Sequence, residues 1–306
     1  MSTFAYHVVD VFTTTQFGGN PLAVITDARG LSDEQMQRIA AEFGFSETTF
    51  VLPPADPQHT AQVRIFTPVN ELEFAGHPNV GTAYVLGQLG TLFGRTLGDT
   101  LTFEERAGLV EVSLQRRGNH VERATITAPR TLERGPQVDP ELIAACVSLS
   151  PSDIVSSEHP PLVASVGLQF VITQLASRAA LAKSRPNLER FAETNERLKL
   201  EGTTFSVFLY VPTPGAPEQI SARMFAPLDG ILEDPATGSA SAALAALRAS
   251  LLPAQDAELA LTIEQGVDMG RPSTIHLLAR KEGGIVTRVE VSGASVTVMR
   301  GEIILD

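Results

Sequence analysis

Three residues in this 306-residue chain have types and surroundings suited to moving a proton on a small molecule: Glu47, His77 and Asp234. Glu47 stands in Phe45-Ser46-Glu47-Thr48-Thr49-Phe50-Val51, just past a helix stop and entering an apolar strand. Burial among Phe45, Phe50 and Val51 would raise its carboxyl pKa from about 4.3 toward neutrality, which a general acid/base at cellular pH requires. Local sequence alone also fits a solvated glutamate at a strand edge. His77 and Asp234 each precede a proline and a run of small residues, Pro78-Asn79-Val80-Gly81-Thr82 and Pro235-Ala236-Thr237-Gly238-Ser239. Proline suits the first helical position, which places His77 and Asp234 at or near N-caps. A helix amino terminus carries N–H groups without intrahelical partners and partial positive charge, so it can hold a carboxylate or a developing oxyanion. Either site alone reads equally as an ordinary cap. The recurrence predicts two openings bracketing one small anionic molecule.

The elements that must position these residues come in two similar sets. Arg64-Ile65-Phe66-Thr67-Pro68 leads through a polar turn into Phe74-Ala75-Gly76-His77-Pro78 and an apolar helix ending at Leu89. Arg223-Met224-Phe225-Ala226-Pro227 leads into Glu233-Asp234-Pro235-Ala236-Thr237-Gly238-Ser239 and an apolar helix ending at Leu247. The copies lie about half the chain apart, and both the motif and its sequel repeat, so the chain reads as a duplication. The helices Val80–Leu89 and Ala236–Leu247 are apolar nearly all round and must be surrounded by protein. A curved sheet around a central helix, made twice, satisfies that need.

Strand-like runs occur at Tyr6–Phe12, Leu22–Thr26, Thr48–Leu52, Ala61–Phe66, Leu109–Leu114 and Ala124–Thr127. A helix begins at Ser32, where Gln35 completes a capping box, and Gly44 stops it after Phe43. This mixture predicts an α+β fold. The expected halves are 1–128 and 129–287, with a strand at about 288–306 returning to the first. The proline-rich segment Ala128–Pro140 is the expected linker.

Composition removes several classes of function. A net charge of −12, from 35 acidic and 23 basic residues, argues against nucleic acid or an anionic membrane as partner. A local positive pocket for a small anion remains compatible with it. The apolar stretch at Ala240–Leu247 falls far short of the ~20 residues of a membrane span. The amino terminus does not read as a signal peptide, and the single cysteine, Cys146, can form no internal disulfide. A cytoplasmic location is expected. With no HExxH pair, cysteine cluster, GxGxxG or GxxxxGKS segment, neither a metal nor a nucleotide cofactor is expected.

Asp10-Val11-Phe12 with Gly19-Asn20-Pro21-Leu22-Ala23-Val24, Ser46-Glu47-Thr48-Thr49-Phe50, Phe74-Ala75-Gly76-His77-Pro78, Glu233-Asp234-Pro235-Ala236-Thr237-Gly238-Ser239-Ala240, and Gln265-Gly266 with Met269-Gly270-Arg271-Pro272-Ser273 follow one another in order. Together they resemble the phenazine biosynthesis PhzF-like family. The resemblance implies the diaminopimelate-epimerase-type fold, two half-domains each a barrel-like sheet around a central helix. It implies cofactor-independent isomerisation of trans-2,3-dihydro-3-hydroxyanthranilate or a similar carboxylate, and a homodimer. The family's catalytic glutamate falls on Glu47, its active-site histidine and aspartate on His77 and Asp234, and neighbouring contacts on Ser46, Gly76 and Ser239. The helix-opening residues Pro78, Thr237 and Gly238 are expected to contact substrate beside them.

Epimerases and racemases of this fold use two opposed cysteines. Their places here look like Ala75 and Pro235, neither of which can carry a proton, so two-thiol racemisation is excluded. Cys146, among Ile143, Ala144, Ala145 and Val147, reads as a buried helix residue. Asn79 departs from the threonine expected after His-Pro, and Arg271 reads equally as a cation near the second opening or as an exposed turn residue. Two other readings stay open: an epimerase or tautomerase of an amino-acid-like acid, and a ligand-binding protein without chemistry.

Overall fold

The computed structural model describes residues 1–200 and 203–305. The chain forms two compact units, Met1–Pro129 with Glu290–Asp306, and Arg130–Val289. Among the described residues, no helix is long and apolar enough to cross a membrane.

In the first unit, strand Ser2–Val11 pairs antiparallel with Asn20–Ile25, which runs parallel to Glu47–Leu52. That parallel step needs a crossover, and helix Asp33–Phe43 supplies it. The helix has the expected capping box between Ser32 and Gln35, and Gly44 ends it in the left-handed region at φ 63°. Its Met36, Ile39 and Ala40 cover Ile25, Phe50 and Phe66 in one apolar cluster. Glu47–Leu52 continues antiparallel to Ala61–Phe66, which is parallel to Thr100–Glu105, and here the crossover contains the central helix Gly76–Leu89. Strands Gly108–Arg117 and His120–Thr127 follow antiparallel. The sheet is completed from the far end of the chain: Ile285–Gly293 reaches His120–Thr127, and Ser295–Leu305 pairs with Ser2–Val11.

Every residue from Gly76 to Gly87 is buried, as a helix without a polar face demands. Val80, Val85 and Leu86 are at most 3% exposed, and each such side chain contributes about 1.5–3 kcal/mol by leaving water. The helix sits close against the sheet at Gly81, where an added Cβ would lie 2.6 Å from Leu22 and 2.7 Å from Val11.

The second unit repeats the same succession of strand directions. Leu162–Ser165 is antiparallel to Gln169–Leu175, which is parallel to Val207–Thr213. Ala216–Ala226 follows antiparallel, Ala257–Gln265 parallel to it, and Ser273–Glu282 antiparallel again. The first crossover carries helices Arg178–Lys183 and Leu188–Leu198, and the second carries the buried central helix Gly238–Leu251. The duplicated motif repeats its contacts as well. Arg64 lies over the Phe66 ring at 5.1 Å and pairs with Glu71 at 2.7 Å. Arg223 lies over Phe225 at 4.9 Å and pairs with Glu233 at 2.7 Å. In both, the arginine and phenylalanine two residues apart share one strand face, and the glutamate belongs to the short strand before the central helix. The fold is the duplicated α+β arrangement of the diaminopimelate-epimerase type.

Two sequence expectations need correction. The two units divide within the expected linker Ala128–Pro140, between Pro129 and Arg130, but most of that segment is structured: Glu133–Gln137 is a strand paired with Leu162–Ser165, and Pro140 opens a short helix capped by Asp139. All five residues of that strand are exposed, so no apolar alternation marks it. Strands Gly108–Arg117 and His120–Thr127 also run beyond their apolar cores into exposed polar ends. Cys146 is buried as expected, with Sγ 3.2 Å from the Thr194 hydroxyl.

Candidate active site

Glu47 begins its strand, and the pleat decides where it points. Phe50 belongs to the cluster under helix Asp33–Phe43, whereas the Thr49 hydroxyl meets that of Thr82, in the central helix, at 2.8 Å. Glu47 lies two residues before Thr49 and shares its face. Its Oε2 comes 3.4 Å from His77 Nδ1, with the two side chains 14% and 4% exposed. Of the neighbours expected to bury Glu47, Val51 shares its strand face and Phe50 does not. Phe50 instead packs under helix Asp33–Phe43; Phe45 stacks on Phe43 at 5.8 Å.

Asn20, fully buried, places Nδ2 3.4 Å from the same His77 nitrogen. Both 3.4 Å contacts are longer than a formed N–H···O bond, so they position the ring without locking it. Burial lowers the His77 pKa to about 3, and a hydrogen bond with the Pro21 backbone opposes this only in part. The imidazole is thus neutral at neutral pH, with one N–H and one lone pair to offer. Glu47 and His77 form a polar contact and not an ion pair.

The first helix opens earlier than proline spacing predicts. Ala75, extended at φ −150° and ψ 141°, is the N-cap, so Gly76 and His77 already belong to the first turn and Pro78 is third. Proline is tolerated there because first-turn N–H groups have no intrahelical acceptor. Gly76, His77 and Pro78 are all buried, and Ser46 is half-buried next to Glu47.

The second opening starts later than expected. Asp234, 4% exposed, ends strand Ile231–Asp234 opposite Met224, and Thr237 is the N-cap of a helix beginning at Gly238. The intervening turn is held from outside. Gln265, 1% exposed, accepts a bond from the Thr237 N–H at 3.1 Å and donates to the Asp234 carbonyl at 2.8 Å and to Thr237 Oγ1 at 3.0 Å. Thr237 Oγ1 in turn donates to Asp234 Oδ2 at 2.5 Å. These bonds keep residues 234–237 out of the helix, which is why Pro235 is not its first residue. Gly266, at φ 74°, seats the turn from below: an added Cβ would lie 2.6 Å from the Pro235 carbonyl oxygen. Gly238 and Ser239 follow as buried first-turn residues, and Arg271 is half-buried in the turn that bonds back to Gly266.

The first unit therefore assembles Ser46, Glu47, Gly76, His77 and Pro78, and the second assembles Asp234, Thr237, Gly238 and Ser239. Asn20 and Gln265 were assigned no role from sequence, although Gly19-Asn20-Pro21 and Gln265-Gly266 stand within conspicuous segments. Among the described residues, no group of three or more His, Cys, Asp or Glu could hold a metal ion.

The family model for phenazine biosynthesis-like proteins matches residues 9–301 of this chain. The chain belongs to that family. An uncharacterized isomerase of Mesorhizobium japonicum is 36% identical over the full length of both proteins. A trans-2,3-dihydro-3-hydroxyanthranilate isomerase of Pseudomonas chlororaphis is 37% identical over 98% of this chain and 99% of the relative. The crystal structure of a Bacillus anthracis phenazine biosynthesis protein of the PhzF family superposes with a TM-score of 0.85 at 26% identity, covering all of both chains. Like these family members named as isomerases, the chain is an isomerase of the PhzF-like type.

Proposed function

We propose that this isomerase relocates a proton on a small cyclic carboxylate such as trans-2,3-dihydro-3-hydroxyanthranilate, with Glu47 as the acid/base. The observation that carries the reading is the Glu47 carboxylate set 3.4 Å from a buried histidine that desolvation keeps neutral. Beside a neutral imidazole the carboxylate is a stronger proton acceptor than beside an imidazolium, which would hold it ionised. Glu47 takes a proton from a substrate carbon, the released electron pair shifts the adjacent double bond, and the glutamic acid returns the proton to the carbon at the far end of that system. No net electron leaves or enters. His77 and Asp234 are each assigned a polar substituent, Ser46, Gly76, Thr237, Gly238 and Ser239 offer N–H or hydroxyl donors to a carboxylate, and Pro78 offers only ring contact. The motif order and the Pseudomonas relative support this assignment of roles.

The test is turnover of trans-2,3-dihydro-3-hydroxyanthranilate in heavy water. Deuterium arriving at a new carbon supports the reading. Inversion with exchange at a single carbon indicates an epimerase, and binding without turnover indicates a ligand-binding protein. A cytoplasmic homodimer is part of the proposal, supported by the single cysteine and the family resemblance; sedimentation of the purified protein as a monomer would remove the dimer.

A further inference from the structure

Strand Ser295–Leu305 runs antiparallel to Ser2–Val11 in the first unit. Among the described residues, no second strand pairs with its other side. The Gln16 amide reaches the Thr297 carbonyl at 2.9 Å, so the open stretch of edge is 299–305. A strand edge carries a row of N–H and C=O groups that a further strand can pair with, and proteins blunt exposed edges with short length, proline or lysine. Glu133–Gln137, paired on one side in the second unit, is five residues long and contains Pro136. Residues 299–305 contain neither proline nor lysine.

The two faces of this stretch differ. Ile303 and Leu305, with Phe4 and Tyr6 of the neighbouring strand, pack against the cluster under helix Asp33–Phe43. An added Cβ on Gly301 would lie 2.7 Å from the Tyr6 hydroxyl oxygen, so that ring covers the glycine. Arg300, Glu302 and Ile304 alternate with these residues and stand exposed on the opposite face. Ile304 is 61% exposed, and Met299, which starts the stretch, is 52% exposed. Across the existing ladder Arg300 is opposite His7 and Glu302 is opposite Ala5. Neither meets an opposite charge there.

Symmetry restricts how a second copy of the chain fits this edge. A twofold axis normal to the sheet makes the added strand antiparallel and keeps every side chain on its own face, so the axis passes through a residue position. With the axis at Arg300 or at Glu302, that residue would oppose its own copy, a destabilising like-charge pair. With the axis at Met299 or Ile303, charges would oppose apolar side chains such as Val298 and Ile304. With the axis at Gly301, Arg300 opposes the partner's Glu302, Glu302 opposes the partner's Arg300, and Met299 opposes the partner's Ile303. We propose that this edge binds a second copy of the chain through an antiparallel strand pair centred on Gly301. The contact is self-complementary and occupies the same edge of each copy, so it closes as a dimer. It rests on the homodimer proposed above, to which it gives a surface, and not on the chemistry assigned to Glu47.

Sedimentation of the purified full chain tests this without substrate. The unmodified protein should be a dimer. Arg300→Glu and Glu302→Arg each put two like-charge pairs across the axis and should raise the dimer Kd by about 10–100-fold. Both side chains are exposed, so the unfolding midpoint of each variant should match that of the unmodified protein. Mixing the two variants in equal amounts sets opposite charges against each other again at both pairs, and heterodimers should form with close to the unmodified affinity. A dimer that neither substitution weakens, or weakened variants that stay apart when mixed, would overturn this surface and leave the homodimer standing. A monomeric unmodified protein would overturn both. Turnover of trans-2,3-dihydro-3-hydroxyanthranilate does not enter this readout, so the Glu47 assignment stands or falls separately.

Discussion

The Thr49 and Thr82 hydroxyls meet at 2.8 Å, and this buried bond ties the strand that begins at Glu47 to the helix that begins beside His77. Thr49 lies two residues after Glu47 and Thr82 lies five after His77. The bond thus ties the strand carrying Glu47 to the helix carrying His77. The proposed transfer between substrate and Glu47 depends on where this strand and helix hold the carboxylate, because a displacement of an ångström is enough to cost about 10²-fold in rate.

Thr49→Val should therefore lower both stability and kcat. It leaves the Thr82 hydroxyl buried without its partner, at a cost of about 1–3 kcal/mol. The double variant with Thr82→Val should recover much of that stability, which chemical unfolding of the three variants would measure. Additive losses would show that the two hydroxyls do not act as a pair.

Replacing Glu47 with Gln keeps the shape of the side chain and removes its proton chemistry. Turnover should fall by at least about 10²–10⁴-fold, while substrate affinity, read by calorimetry, changes little. Retained turnover would move the acid/base role to another residue.

His77 gives a stability signature on the acid side. Its folded pKa of about 3 lies below the unfolded value of about 6.5. The unfolded chain therefore binds an extra proton between these values. Stability from His77 is present above about pH 6.5 and is lost as pH falls toward 3. Urea midpoints should decline over that window and decline less in His77→Asn. The His77 ring resonances should show no titration between pH 5 and 8.

Gln265→Leu should disorganise the second opening without touching the first. It removes the partners of the Thr237 N–H and the Asp234 carbonyl, each costing about 1–3 kcal/mol when left buried. The expected result is a lower unfolding midpoint and a raised KM. A normal KM in a destabilised variant would show that the geometry of the Asp234 turn does not govern substrate binding.

Much of the fold was legible because its signals are local. The Ser32 capping box, the Gly44 stop and the repeated Arg-x-Phe before each apolar helix are contacts within one element or one turn, and the structure shows each of them. The all-apolar helices announced their own burial. Phe50 was misread as a neighbour of Glu47 because a strand sends alternate side chains to opposite faces, and sequence does not say which face the helix will cover. The helix starts were misplaced because Ala75 caps without a side chain and Gln265 reaches back 28 positions to hold Thr237.

By itself, the sequence determined the duplication, the two central helices and the family, and it singled out Glu47, His77 and Asp234 as candidates. All of these rest on residue type and short-range spacing. Only tertiary structure decided that Asn20, 57 positions away, would touch His77 and that Gln265 would clamp the Asp234 turn. The reason is physical: the charge state of a buried group and the partner of a buried polar atom are set by whatever the folded chain brings within about 3 Å, and no periodicity along the chain records that.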